Sequence, residues 1–352
     1  MKKHSIYLLL LSAIMLFLSC EKDSNDPDEP IIPTFDKGVI VTCEGAFGSG
    51  NATIHYLDPA ESTIMADIYQ TINQENVGDV LQSITFDDRY AYIVVNNSGQ
   101  IILADRTTFE KEGTIGGLNA PTEIRLKDGK GYIGNLFNPY IKIADLGQSK
   151  VTDSLYAGVS SEKILIEGNT LFILSHSEYQ GRVKDHIYTI DLNDGSLDSI
   201  QVSANPHEWA YNDQDDQLYL FCQGQFGEEP AAIFTINTVT AQVEEKSEIA
   251  DAEGSFSQLA FDPTRQRVLI SLNEGVYSYD ITNHSLDNKA LISLEEVQFL
   301  YALAVDPQSG DIYLGDALDF NQRGDIFIYD QDGDSKSTGK VGIAPNNFYF
   351  NH

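Results

Sequence analysis

A short apolar strand returns along this chain at a nearly fixed interval, and no other feature limits the fold so severely. It reads Ser83-Ile84-Thr85-Phe86-Asp87, Glu123-Ile124-Arg125-Leu126, Lys163-Ile164-Leu165-Ile166, Glu208-Trp209-Ala210-Tyr211, Gln258-Leu259-Ala260-Phe261-Asp262 and Ala302-Leu303-Ala304-Val305-Asp306. The second residues fall at 84, 124, 164, 209, 259 and 303, in steps of 40, 40, 45, 50 and 44. A later strand of each unit ends on aspartate, as in Leu103-Ala104-Asp105, Ile143-Ala144-Asp145, Thr189-Ile190-Asp191, Ser278-Tyr279-Asp280 and Ile328-Tyr329-Asp330. Alternation of period two marks half-buried antiparallel strands. Four such strands in every 40–50 residues is the pattern of a β-propeller blade.

The two ends of the pattern predict how the ring closes. Ala344-Pro345-Asn346-Asn347-Phe348-Tyr349-Phe350 resembles the start of an inner strand, Ala120-Pro121-Thr122-Glu123-Ile124, and 348 lies 45 residues after 303. Its missing companions stand at the other end, in Val39-Ile40-Val41-Thr42 and Thr53-Ile54-His55-Tyr56-Leu57-Asp58. The last strand is therefore expected to complete the first blade and leave no free edge. The expected fold is all-β, a seven-bladed propeller of four-stranded antiparallel blades over 38–352.

The residues before 38 read as export and tether. Lys2 and Lys3 precede an apolar run from Ile6 to Leu18, interrupted only by Ser12 and shorter than a membrane span. The run ends at Ser19-Cys20, like a bacterial lipoprotein signal. Residues 1–19 are expected to be removed and Cys20 lipidated. Glu21 to Asp36 holds six acids, one lysine and three prolines, so 20–37 is expected to be a solvated tether. Glu21, Lys22 and Asp23 resemble an export signal to the outer face of an outer membrane; a plain spacer facing the periplasm is the alternative. The membrane is expected to be met only through the lipid.

Twenty-two Lys and Arg oppose 53 Asp and Glu, a net charge of −31, or 20 − 53 = −33 after loss of Lys2 and Lys3. Repulsion of that size argues against a nucleic-acid partner. Three cysteines cannot make a disulfide scaffold. Cys43 and Cys222 sit at equivalent places in blades one and five, too far apart to pair, and are expected as buried thiols.

The stretch Cys43-Glu44-Gly45-Ala46-Phe47-Gly48-Ser49-Gly50-Asn51-Ala52, with Ile54 and Tyr56-Leu57-Asp58, resembles YncE-like seven-bladed cell-surface propeller lipoproteins. Some of these look like outer-membrane partners of TonB-dependent transporters, and a BtuG-type subgroup captures cobalamin. The resemblance implies binding of a small-molecule nutrient, corrinoid-like, beside a TonB-dependent receptor.

In a propeller, the loop before each inner strand and the loop between second and third strands open on one face, where ligands meet the fold. Five of those second-to-third-strand loops are long and each carries an aromatic: Phe47, Phe137, Tyr179, Phe226 and Phe320. They either form a ligand surface or plug their own blades. His176, His186, His207 and Glu208 are expected to be brought near one another by adjacent blades, either as rim residues or to bind a metal or supply an axial ligand to a cofactor's metal. No known metal motif matches their spacing, and no resident metal or cofactor is expected. Arg182, Lys184 and Arg323 are cations in the same loops, suited to carboxylate or phosphate on a ligand or to local ion pairs.

Asp330-Gln331-Asp332-Gly333-Asp334 resembles a calcium loop but lacks its distal glutamate and falls at a hairpin turn. Glu123, Lys163 and Glu208 share one repeat position, which favours mutual neutralisation over a divalent site. There is no phosphate loop, nucleophile elbow or metallopeptidase helix. Ligand capture without bond chemistry is the leading expectation. A protein- or glycan-binding scaffold, or a propeller lactonase or hydrolase, are the alternatives.

Overall fold

A computed structural model describes residues 33–59, 61, 63–176, 184–250, 252 and 256–351. Cys20 and its signal, and most of the tether, lie outside these residues. From Thr34 onward the chain forms one compact unit. It holds seven antiparallel sheets arranged as blades in a ring, and a single short helix, Ile68–Asn73, among the described residues.

Blade two runs Leu81–Phe86, Tyr90–Val95, Gln100–Asp105 and Lys111–Ile115, from the centre outward. Blades three, four, five and seven repeat this order from inner strands Pro121–Lys127, Lys163–Glu167, Pro206–Asn212 and Leu300–Val305. Blade six starts at Leu259–Asp262, and two fragments, Ser285–Leu286 and Ile292–Ser293, share its outer position. Blade one is assembled from both ends. Pro345–Asn351 pairs with Gly38–Cys43, matching Val39 with Phe350 and Val41 with Phe348.

The apolar periodicity is spent between blades. Each of seven buried clusters joins two neighbours: Tyr92, Val94 and Leu103 of blade two meet Ile124, Ile133 and Ala144 of blade three, and Val39, Val41 and Leu57 of blade one meet Tyr313, Ile326 and Val341 of blade seven. Burying both faces of every sheet in this way removes apolar surface from water without needing a second layer.

Polar groups stitch the inner strands together. Tyr349 Oη accepts from Ile84 N at 2.7 Å, Ser83 Oγ donates to Thr122 O at 2.8 Å, and Thr122 Oγ1 donates to Ser161 O at 2.8 Å. The recurring aspartates have a local cause. Asp105 Oδ1 accepts from Thr107 N and Thr108 N at 2.8 and 2.9 Å, and Asp280 Oδ1 accepts from Thr282 N and Asn283 N at 2.8 and 3.0 Å. Such carboxylates close the third-to-fourth-strand turns. Asp330 does the same for Asp332 N and Asp334 N, both at 2.9 Å.

Candidate functional site at the channel mouth

Inner strands begin on the face that the second-to-third-strand loops also reach. On that face an aromatic arc crosses four blades. His176, just after the second strand of blade four, stacks on His207 of blade five with centroids 5.0 Å apart. His207 meets the edge of Phe256 at 5.0 Å, and Phe256 lies 5.5 Å from Phe299. Phe299 and Tyr301 of blade seven each hold Phe320 at 5.0 Å, in edge-to-face geometry. Phe256 remains 49% exposed and Phe299 36%, so the rings present area to solvent. Such rings are a ready-made surface for a flat apolar ligand.

Backbone anchors hold the arc. Asp316, buried at the end of the second strand of blade seven, accepts from Gln298 N, Phe299 N and Leu318 N, each at 2.9 Å. One carboxylate thereby fixes both loops that carry Phe299 and Phe320. Glu162 Oε2 accepts from His176 N at 2.9 Å, and His176 Nε2 lies 2.5 Å from His207 O.

Next to the arc, the inner strands line a cavity of about 310 Å³ open to solvent. Glu44, Glu123, Glu162 and Glu208 line it against Arg125 and Lys163. Arg125 pairs with Glu123 at 3.0 Å, and Glu123 also accepts from Ile164 N at 2.9 Å. Lys163 pairs with Glu208, which also accepts from Trp209 N at 2.8 Å. Of the neutralisation expected along this repeat position, Lys163 with Glu208 forms between neighbouring blades, whereas Glu123 is matched by Arg125 of its own strand.

Glu44 has no cation partner among the described residues. It accepts from Tyr301 Oη at 3.0 Å and from Asn346 Nδ2 at 3.3 Å. Burial outweighs those bonds and pushes its carboxyl up to about 7. Burial, with Glu44 beside it, also raises the Tyr301 phenol. His207 moves the other way, down to about 4, because burial and then His176 and Lys163 disfavour its cation. At neutral pH the His207 imidazole in the arc is therefore uncharged.

The candidate residues from sequence divide into several groups. Phe320, His176, His207 and Glu208 meet at the channel mouth. Phe47, Phe137 and Phe226 are 80%, 74% and 89% exposed and make no ring contact with the arc among the described residues. They neither plug their blades nor join the others; their loops are fixed by polar bonds instead, as where Gly48 N donates to Asp79 at 3.0 Å. His186 turns to Asp185, with Nδ1 2.6 Å from Oδ1. Arg323 donates Nε to Val341 O at 2.7 Å and lies along the outer strand of its own blade. Tyr179 and Arg182 lie outside the described residues. Cys43 and Cys222 are separate buried thiols, and burial drives the Cys43 thiol up to about 12.

Glu44, Phe256, Phe299, Tyr301, Asn346 and Asp316 escaped the reading of the sequence. A signal for several was present. The two residues before each strand's aligned position are Gln82-Ser83, Thr122-Glu123, Glu162-Lys163, His207-Glu208, Ser257-Gln258, Tyr301-Ala302 and Asn346-Asn347, and most of them line the cavity.

No curated protein matches the chain. Solved structures do, at the level of fold. A quinonprotein alcohol dehydrogenase-like protein, BT1487, from Bacteroides thetaiotaomicron superposes with a TM-score of 0.71 at 16% identity, over 91% of this chain and 79% of that one. Hydrazine synthase from Kuenenia stuttgartiensis gives 0.59 at 16% identity, over 72% and 77%. Apo AztD from Citrobacter koseri gives 0.55 at 13% identity, over 88% and 82%. Residues 37–350, the whole ring, match one family model, and the chain belongs to that family, DUF5074, a domain of unknown function.

Proposed function

We propose that this protein is a ligand-capturing propeller that holds a small-molecule nutrient over its channel mouth, with no bond made or broken. The aromatic arc from His176 to Phe320 carries the reading. It offers a preformed apolar surface with a polar cavity next to it, the combination that small-molecule sites use. A flat conjugated nutrient suits it, and a corrinoid is the example favoured by the resemblance to surface propeller lipoproteins.

The lipoprotein-like signal that ends at Ser19-Cys20 also suits work at a surface. A lipid on Cys20 would hold the ring at the outer membrane, facing the cell exterior beside a TonB-dependent receptor. Titration with cyanocobalamin, followed by absorbance and calorimetry, tests the reading. Saturable binding that Phe299→Ala weakens at least tenfold supports it. Absence of heat and of spectral change at micromolar protein removes the corrinoid, and retention of affinity in Phe299→Ala removes the arc.

A further inference from the structure

The channel cavity has more hydrogen-bond acceptors than its own walls use. Glu44 receives Tyr301, Asn346 and, at 3.5 Å, Gln82, all on Oε1. Glu208 receives Lys163 and Trp209 N on Oε1. Glu123 receives Arg125 and Ile164 N on Oε2. Each of these three carboxylates lines the cavity and keeps its second oxygen without a protein donor among the described residues. The cavity's two cations, Arg125 and Lys163, are already held by Glu123 and Glu208. A group entering the cavity therefore meets free acceptors and no unpaired cation from its lining. Tyr301 belongs to both regions: its ring contacts Phe299 and Phe320, and its hydroxyl reaches Glu44. A ligand lying on the arc is thus one side chain away from the cavity.

From this geometry we propose that the cavity is a subsite for a nitrogen head group that donates hydrogen bonds, an ammonium or a primary amide, borne by a ligand whose flat body lies on the arc. Carboxylates and phosphates are disfavoured there, because four carboxylates face only two cations across the lining and an entering anion adds to that excess. About 310 Å³ holds such a head with its solvent, since a water takes about 30 Å³ of liquid. The proposal rests on ligand capture at this face and adds the polarity of what enters it.

Three probes with one ring and different heads make the test: tryptamine, indole-3-acetamide and indole-3-acetate, titrated calorimetrically into the full chain at pH 8. Tryptamine or the acetamide is expected to bind at least about tenfold more tightly than the acetate, a difference of about 1.4 kcal/mol. The better of the two distinguishes ammonium from amide. Glu44→Gln is expected to reduce the preference over acetate at least threefold, with Glu208→Gln as a second variant and the thermal midpoint as a check on folding. Phe299→Ala should weaken all three probes alike. Acetate binding as tightly as the others overturns the subsite while leaving the arc intact. No heat from tryptamine or the acetamide at about 10 mM, the weak end of measurable affinity, also overturns it; the cyanocobalamin titration decides capture separately.

Discussion

The carboxylate of Asp316 accepts the backbone N–H of Phe299 at 2.9 Å from a site that is 1% exposed. The same oxygen takes Leu318 N and the other takes Gln298 N. A single buried side chain therefore decides where Phe299 and the Phe320 loop stand. Replacing Asp316 with alanine orphans three N–H groups and should cost about 2–4 kcal/mol. Urea unfolding measures that loss. Ligand affinity measured well below the new midpoint should also fall, because the rings lose their fixed positions.

The exposed and arc phenylalanines should separate cleanly. Phe226 is 89% exposed, so Phe226→Ala should change stability by less than about 0.5 kcal/mol. The same substitution at Phe299 removes contacts with Phe256, Tyr301 and Phe320 and should weaken any ligand on the arc. Equal effects of the two on affinity would place the binding surface at the loop tips instead.

Two histidines predict acid sensitivity. Burial lowers His55 and His207 to about 4 from 6.5. The unfolded chain takes up these protons more readily than the folded one, so stability is complete above about pH 6.5 and falls as pH drops through 6.5 toward 4. His55 Nδ1 is buried without a partner among the described residues, and protonating it in place would bury a charge. Thermal midpoints between pH 7.5 and 4.5 should decline, and His55→Gln should flatten the decline.

Glu44 predicts the opposite slope. Its folded value, raised to about 7 from 4.5, contributes stability below 4.5 that is lost as pH rises through 7. Glu44→Gln should therefore stabilise the ring by about 1–3 kcal/mol at pH 8 and by little at pH 4.5. A midpoint difference independent of pH would show that the carboxyl ionises normally.

Gly342 tests the seam between blades seven and one. A Cβ there would stand 2.1 Å from Thr53 Oγ1 and 2.8 Å from Cys43 Cβ. Gly342→Ala should cost about 1–3 kcal/mol through overpacking, seen as a lowered midpoint with unchanged secondary structure. Thr53→Ala should relieve part of it, because it removes the closer atom.

The ring was legible because its cause is periodic. Strand faces packed on both sides repeat an apolar alternation, and aspartates such as Asp105 and Asp280 recur because every blade must close the same turn. The arc was harder to read because it is built across repeats. Phe256, Phe299 and Phe320 occupy three different places in their blades and meet only because adjacent blades converge at the centre. Loop length marked Phe47, Phe137 and Phe226, yet a long loop held by bonds such as Gly48 N to Asp79 carries its ring outward. Glu44 was hidden differently. It follows a strand instead of preceding one, and its surroundings come from Tyr301 and Asn346, more than 250 residues away in the chain.

Pairing of Pro345–Asn351 with Gly38–Cys43 also sets the timing of folding during synthesis. Roughly 300 residues separate the partners, which at about 5–20 residues per second is about 15–60 s of translation. Through that interval blade one lacks its innermost strand, and Val39, Val41 and Cys43 have no cover on that side. The ring can lock only after its last strand arrives, so stability comes to all seven blades together and late. Until then the nascent chain presents an open β-edge that must be kept from other strands.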